Sequence, residues 1–297
     1  MNLMKISTAQ FYRSSTDQMV RAQSGVAQLQ TKLGSGKQLN TPSDDPQKSN
    51  AIARLEGILE RQSIYQKNIV AAQTRLSSEE TVFTSMNQLM QRVSELTIQA
   101  ASDSLGAEDR AILAVEVNAL KDELFNLVNS RDLNGNYLFS GNKIDVPAFV
   151  KNGDGAISYN GDYGKLTVNV SDVRQVTLNT LGTEVFSVEE FETLDSLVDS
   201  LVANDGGAVR ASIGTLNAIS ERLAQSYAAM AGRVSALESQ KEVLEDTSLR
   251  IENLLMDERD LDYATAVTEL TKESVALQAL QASFSKLAQL SLFNFLR

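Results

Sequence analysis

Residues 207–256 read GAVRASIGTLNAISERLAQSYAAMAGRVSALESQKEVLEDTSLRIENLLM, and Val209, Leu216, Leu223, Met230, Leu237, Leu244 and Ile251 stand seven residues apart along it. A seven-residue apolar repeat keeps one stripe of a helix turned toward a neighbouring helix. The spacing predicts one helix from about Gly207 to Met256, roughly 75 Å long at 1.5 Å per residue. A partner of similar length is legible upstream. Between Pro46 and Ala101, Leu55, Ile69, Leu76, Phe83 and Met90 share one register, with Ile58, Tyr65, Ala72, Met86 and Val93 three residues behind them. The polar exceptions are Gln62 and Glu79. Pro42, Ser43, Asp44, Asp45 and Pro46 form a helix-start motif, with a carboxylate to cap free N–H groups and proline at the first helical position.

The stretch separating the two long helices changes character. A break at Ser102–Gly106 leads to a shorter amphipathic helix whose apolar face reads Ile112, Val115, Leu120, Leu124 and Leu127. From Asn134 to Gly182 the chain holds seven of its sixteen glycines. Asn134-Gly135 and Asn160-Gly161 are hairpin-turn dipeptides, because Asn and Gly tolerate the positive φ of tight turns. Lys165–Val170 alternates with period two, as a half-buried strand should, and Val173, Val176 and Leu178 suggest a second strand. A short helix near Val188–Val202 leads out of this region.

The seams continue to both ends. Tyr263, Leu270, Leu277 and Phe284 recur every seven residues, with Ala266, Leu280 and Leu287 filling the positions offset by three, and the chain closes on Leu290, Leu292, Phe293, Phe295 and Leu296. Tyr12, Met19, Ala22, Val26, Leu29 and Leu33 follow the same three-four spacing near the start. Ends of ordinary domains are polar and frayed, so these seams need cover. They could close on each other within one chain, but the final residues are apolar all the way round, which favours packing between molecules. The expected assembly interface is therefore Tyr12, Met19, Val26, Leu29, Leu33, Tyr263, Leu270, Leu277, Leu280, Phe284, Leu287, Leu292 and Phe293.

These patterns specify a mainly α fold: an elongated antiparallel rod of heptad-patterned helices with paired terminal helices and a small β-rich inserted domain. The expected division is a terminal assembly domain of residues 1–45 and 258–297, a rod domain of 46–142 and 203–257, and a β-rich insertion of 143–202.

Composition narrows the chemistry. The 297 residues are 42% hydrophobic, enough for a sizeable core. The net charge of −11 argues against nucleic acid and anionic lipid as main partners, since both call for clustered positive charge. No run of 18 apolar residues offers a membrane span, and Met1–Thr8 has no apolar core or cleavage site of a Sec-type leader. Cysteine and histidine are both absent, so disulfides, thiol nucleophiles, Ser-His-Asp triads and His- or Cys-ligated zinc are excluded.

Three local motifs invite other readings. Gly34-Ser35-Gly36-Lys37 has Gln38 where a phosphate loop needs Ser or Thr, and no strand precedes it, so it reads as a turn. Asp44-Asp45 could be paired catalytic carboxylates, yet helix capping explains them locally. Asn152-Gly153-Asp154-Gly155 lacks the alternating acids and distant Glu of a calcium loop and reads as a hairpin turn. No catalytic residue, metal or cofactor is expected, and no feature calls for an enzyme.

The stretch Leu33-Gly34-Ser35-Gly36-Lys37-Gln38-Leu39-Asn40-Thr41-Pro42-Ser43-Asp44-Asp45-Pro46 resembles the N-terminal signature of the flagellin family, and Asp262–Ala279 with Ser291-Leu292-Phe293 resembles that family's closing helix. Met4–Thr8, the Pro-Ser-Asp-Asp-Pro form and Gly135–Gly141 are similar to the branch found at the boundary of hook and filament. The resemblance covers about residues 4–142 and 205–297. It implies an extracellular structural protein of the bacterial flagellum, exported by the flagellar type III apparatus without a cleaved signal peptide. The implied partners are further copies of itself in a ring, a neighbouring hook-associated protein, filament flagellin and an export chaperone. The alternatives are a filament subunit or, from the heptads alone, a cytoplasmic coiled-coil signalling protein.

Overall fold

The structure, a computed structural model, describes residues 3–153 and 155–295, with the side chains of 3–9, 11 and 287–295 left undescribed. It is mainly helical: α1 (Leu3–Ser35), α2 (Pro46–Ala100) and α3 (Ala107–Val128) precede four short strands, and α4 (Gly182–Val185), α5 (Val188–Val202), α6 (Gly206–Arg259) and α7 (Tyr263–Phe295) follow them. The strands are β1 (Phe149–Lys151), β2 (Ile157–Tyr159), β3 (Thr167–Asn169) and β4 (Gln175–Thr177), paired antiparallel as β1–β2 and β3–β4. Two compact units result, Met1–Arg61 with Thr247–Arg297, and Gln62–Asp246. Their boundaries fall inside α2 and α6.

Local chemistry sets the helix ends. Gly36 takes φ +68° and its N–H donates to the Lys32 carbonyl at 2.8 Å, closing α1 in a left-handed turn. Asp45 Oδ1 accepts from Gln47 N and Lys48 N, each at 3.0 Å, so α2 begins at Pro46 with a carboxylate over its free donors. Asp205 starts α6 by accepting from Gly207 N at 2.9 Å and Ala208 N at 3.0 Å. The carboxyl-terminal end of α2 is satisfied from α3, where the buried Arg110 donates to the Ala100 and Ser102 carbonyls at 2.9 Å each.

In the second unit α2 and α6 run antiparallel. Phe83 meets Tyr227 edge-on with ring centroids 6.0 Å apart, and Arg210 donates to the Ala101 carbonyl at 3.1 Å. The heptad of α6 is buried from Val209 through Leu216, Leu223, Met230 and Leu237 to Leu244, facing the buried Ile69, Ala72, Leu76, Phe83, Met86, Met90 and Val93 of α2. At about 1.5–3 kcal/mol per fully buried large side chain, this stripe is a dominant stabilising term. Below it lies an aromatic cluster that seats the insertion: Phe191 of α5 stacks edge-on with Phe125, Phe149 and Phe186.

Several local expectations need correction. In α3 the buried stripe is Leu113, Val117, Leu124 and Val128, whereas Ile112 and Val115 are 65% and 72% exposed. Leu113 starts a stripe spaced by four, seven and four residues, so side chains one position back or two ahead point to the water side. Asn160-Gly161 does not turn a hairpin. That turn falls at Asn152–Gly155, where Gly155 has φ +87° and its N–H donates to the Asn152 carbonyl at 3.0 Å. Gly161 instead lies where an added Cβ would sit 2.8 Å from the Ser140 carbonyl. Val173 lies outside β4 and is 97% exposed in the turn before it.

Candidate assembly interface

The first unit is organised by the pairing of α1 with α7. Their antiparallel sense follows from matched positions: Tyr12 meets Phe284 edge-on at 5.6 Å and 85°, and at the other end Lys37 bridges Asp260. The connecting segments lock this register through the backbone, Gln38 N donating to the Arg259 carbonyl at 2.8 Å and Leu261 N to the Gly36 carbonyl at 3.0 Å. Asp262 then starts α7, its Oδ1 accepting from Ala264 N at 3.0 Å and its Oδ2 from the Thr265 hydroxyl. Those donors favour the ionised form, the Thr265 hydroxyl most, and hold the Asp262 carboxyl below its ordinary value.

The loop carrying Pro42, Ser43, Asp44 and Asp45 is braced by its own side chains. Asp44 Oδ2 accepts from Thr41 N at 3.0 Å and Asn40 N at 3.1 Å, and Oδ1 accepts from the Thr41 hydroxyl at 2.8 Å. These bonds, the Thr41 backbone donor first, keep the Asp44 carboxyl below the usual carboxylate range. Lys48 reaches back from α2 to Gln38 Oε1 at 2.9 Å and lies 3.8 Å from Glu258. The two acids thus have separate structural duties: Asp44 shapes the loop and Asp45 starts the helix.

The seam itself is only half covered. Tyr12, Met19, Val26, Leu29 and Leu33 of α1, and Leu270, Leu277, Leu280 and Phe284 of α7, are all half-buried, while Ala266 is fully buried. Tyr263 is 54% exposed, its hydroxyl lying against Gly36. Leu287, Leu292 and Phe293 fall among the side chains that are not described. Two helices can shield each other on one side only. If each half-buried large side chain still has about 1 kcal/mol to gain from full burial, the nine of them represent roughly 9 kcal/mol of unrealised stabilisation. Further apolar side chains stand outward on the same pair: Val20, Val267 and Val275 are all exposed. The sequence pattern missed these three because they lie off the heptad; a wider apolar arc on α7 is the signal that could have found Val267 and Val275.

Among the described residues no group of acidic side chains is placed to hold a metal ion, and no helix is long and apolar enough to cross a membrane. What the pair can do is associate through an incompletely shielded apolar surface framed by rigid turns.

Comparison with known proteins fits this arrangement. Residues 6–144 match the family model described as the bacterial flagellin N-terminal helical region. The chain is 25% identical to flagellar hook-associated protein 3 of Salmonella typhimurium over an alignment of 320 residues that spans 99% of this chain and 100% of that protein. It is likewise 25% identical to flagellar hook-associated protein 3 of Escherichia coli, across 98% of this chain and 99% of the relative. Among solved structures it is similar in fold to a flagellar hook-associated protein from Vibrio parahaemolyticus, with a TM-score of 0.68 at 24% identity over 73% of this chain and 100% of the other. From its signature loop to its closing helix, the chain is similar to proteins of the flagellin family, the family model matching residues 6–144 and the hook-associated proteins 3 nearly its whole length.

Proposed function

We propose that this chain is a structural subunit of the bacterial flagellum that joins hook to filament. The observation that carries the reading is the paired α1–α7 seam, which is apolar along its length and only half covered within one chain. Such a surface is built to be finished by neighbours, and the full-length likeness to hook-associated proteins 3 supports the place of those neighbours. Hook and filament components are its partners, together with further copies of itself closing a ring. The terminal parts, residues 1–45 and 258–297, make the subunit contacts. Its role is mechanical rather than catalytic. Export through the flagellar type III apparatus, with a chaperone covering α7 beforehand, places it outside the cell.

Deleting the gene tests the reading. The expected phenotype is cells that retain hooks and shed filament protein into the medium. Intact filaments on the deletion strain would refute it.

A further inference from the structure

Glu79 occupies a position on α2 between Leu76 and Phe83 where the stripe calls for an apolar side chain, and it is fully buried. Its carboxyl accepts two hydrogen bonds from one residue of the insertion, from Thr180 N at 3.2 Å and from the Thr180 hydroxyl at 2.8 Å. Arg233 approaches from α6, its Nη2 4.0 Å from Glu79 Oε2, and donates to the Asn179 carbonyl at 2.9 Å and to the Thr180 hydroxyl oxygen. The Asn179 side chain carries the connection deeper into the insertion: its Oδ1 accepts from Leu166 N at 2.8 Å and its Nδ2 donates to the Gly164 carbonyl at 3.0 Å. One carboxyl therefore links α2, α6 and both ends of the β3–β4 hairpin. All these groups lie within the Gln62–Asp246 unit.

We propose that Glu79 is a pH-sensitive latch that fastens the segment following β4 onto the α2–α6 pair. A buried carboxyl surrounded by apolar side chains loses hydration when it ionises. Here that loss outweighs the donors of Thr180 and the nearby charges of Arg233 and Arg75, and burial pushes Glu79 up to about 7. Arg75 gives little compensation because its guanidinium is engaged by Asp132 at 3.0 Å and by the Leu138 carbonyl at 3.0 Å. Arg233 also acts electrostatically on Glu184, whose carboxylate is held by Lys165 at 2.7 Å.

The sign follows from linkage. When the latch opens, Glu79 returns to water and its ordinary value of 4.5. The hold is complete below that value, weakens as pH rises toward 7, and is constant beyond it. Between pH 5.5 and 8.5 the opening equilibrium should rise about 30-fold if opening fully hydrates the carboxyl. Acidic surroundings thus tighten the insertion and neutral ones loosen it. This inference stands independently of the proposed flagellar role.

Amide hydrogen exchange on the full chain, corrected for intrinsic rates, tests it at Leu178, Thr180, Leu181 and Gly182. Wild type should show the roughly 30-fold rise in opening, and Glu79→Gln, which cannot ionise, should show a flat profile. A flat or falling wild-type profile, or the same rise in the variant, would overturn the latch. Carbon-13 titration of the Glu79 carboxyl in wild-type protein provides a readout that needs no variant. A midpoint near 7 supports the proposal, and one at or below 4.5 overturns it.

Discussion

Replacing Phe284 with alanine should loosen α1 from α7 without disturbing the Gln62–Asp246 unit. The ring is half-buried and meets Tyr12 edge-on at 5.6 Å. Half of a full side-chain transfer is about 0.75–1.5 kcal/mol, and an edge-on aromatic pair adds about 0.5–1.5 kcal/mol. The sum, about 2 kcal/mol, corresponds to a roughly 30-fold increase in the opening of the pair. Hydrogen exchange on dilute protein reads this directly as lost protection across residues 12–33 and 266–284. A double-mutant cycle with Tyr12→Ala should recover a coupling of about 0.5–1.5 kcal/mol, since the two rings form one contact. Phe284→Asp adds a charge to the same surface and should block incorporation into flagella while the second unit stays folded. Unchanged protection in Phe284→Ala, or an equal loss in both units, would refute the reasoning.

Four further outcomes follow from the same structure. Leu223→Ala, at a fully buried heptad position, should cost about 2–5 kcal/mol, seen as a lower denaturation midpoint of the Gln62–Asp246 unit. Asp45→Ala removes the acceptor for Gln47 N and Lys48 N and should lower stability by about 1 kcal/mol, with fraying confined to the first turn of α2. Gly36→Ala forces a side chain into φ +68° and against the Tyr263 hydroxyl, costing about 1–2 kcal/mol from the left-handed backbone alone; exchange at Leu261 N should rise. Asp262, whose folded value is depressed by Thr265 and Ala264, should stabilise the start of α7 above its ordinary 3.8 and lose that contribution as pH falls through the depressed value. The Ala264 and Thr265 amides, followed from pH 6 down to about 2, report the loss.

The long helices were legible because a seven-residue repeat sustained over fifty residues admits one reading, and buried Val209 to Leu244 realise it. The β character of the insertion and the start of α2 at Pro46 were equally plain, since glycine, asparagine and a capping carboxylate act locally. Short-range patterns failed where tertiary packing chose between faces. In α3, Ile112 and Val115 look as apolar as Leu113 and Val117, and only the placement of α2 and α5 decides which pair is covered. Asn160-Gly161 carries a turn signal, but Gly161 is needed for close approach to the Ser140 carbonyl. Glu79 stood out as an exception to its stripe, yet its partners Thr180 and Arg233 lie 101 and 154 residues further along the chain, beyond any local rule. The terminal seams were visible as apolar stripes; that α1 and α7 cover each other halfway was not, because periodicity reports which face is buried and not how deeply.

The most direct test of the central claim is immunogold labelling of isolated hook–filament complexes with antibody against this chain. A single narrow band of label at the boundary between hook and filament is expected. Label along the whole filament, or none on the complexes, would contradict the assignment of this chain as the part that joins them.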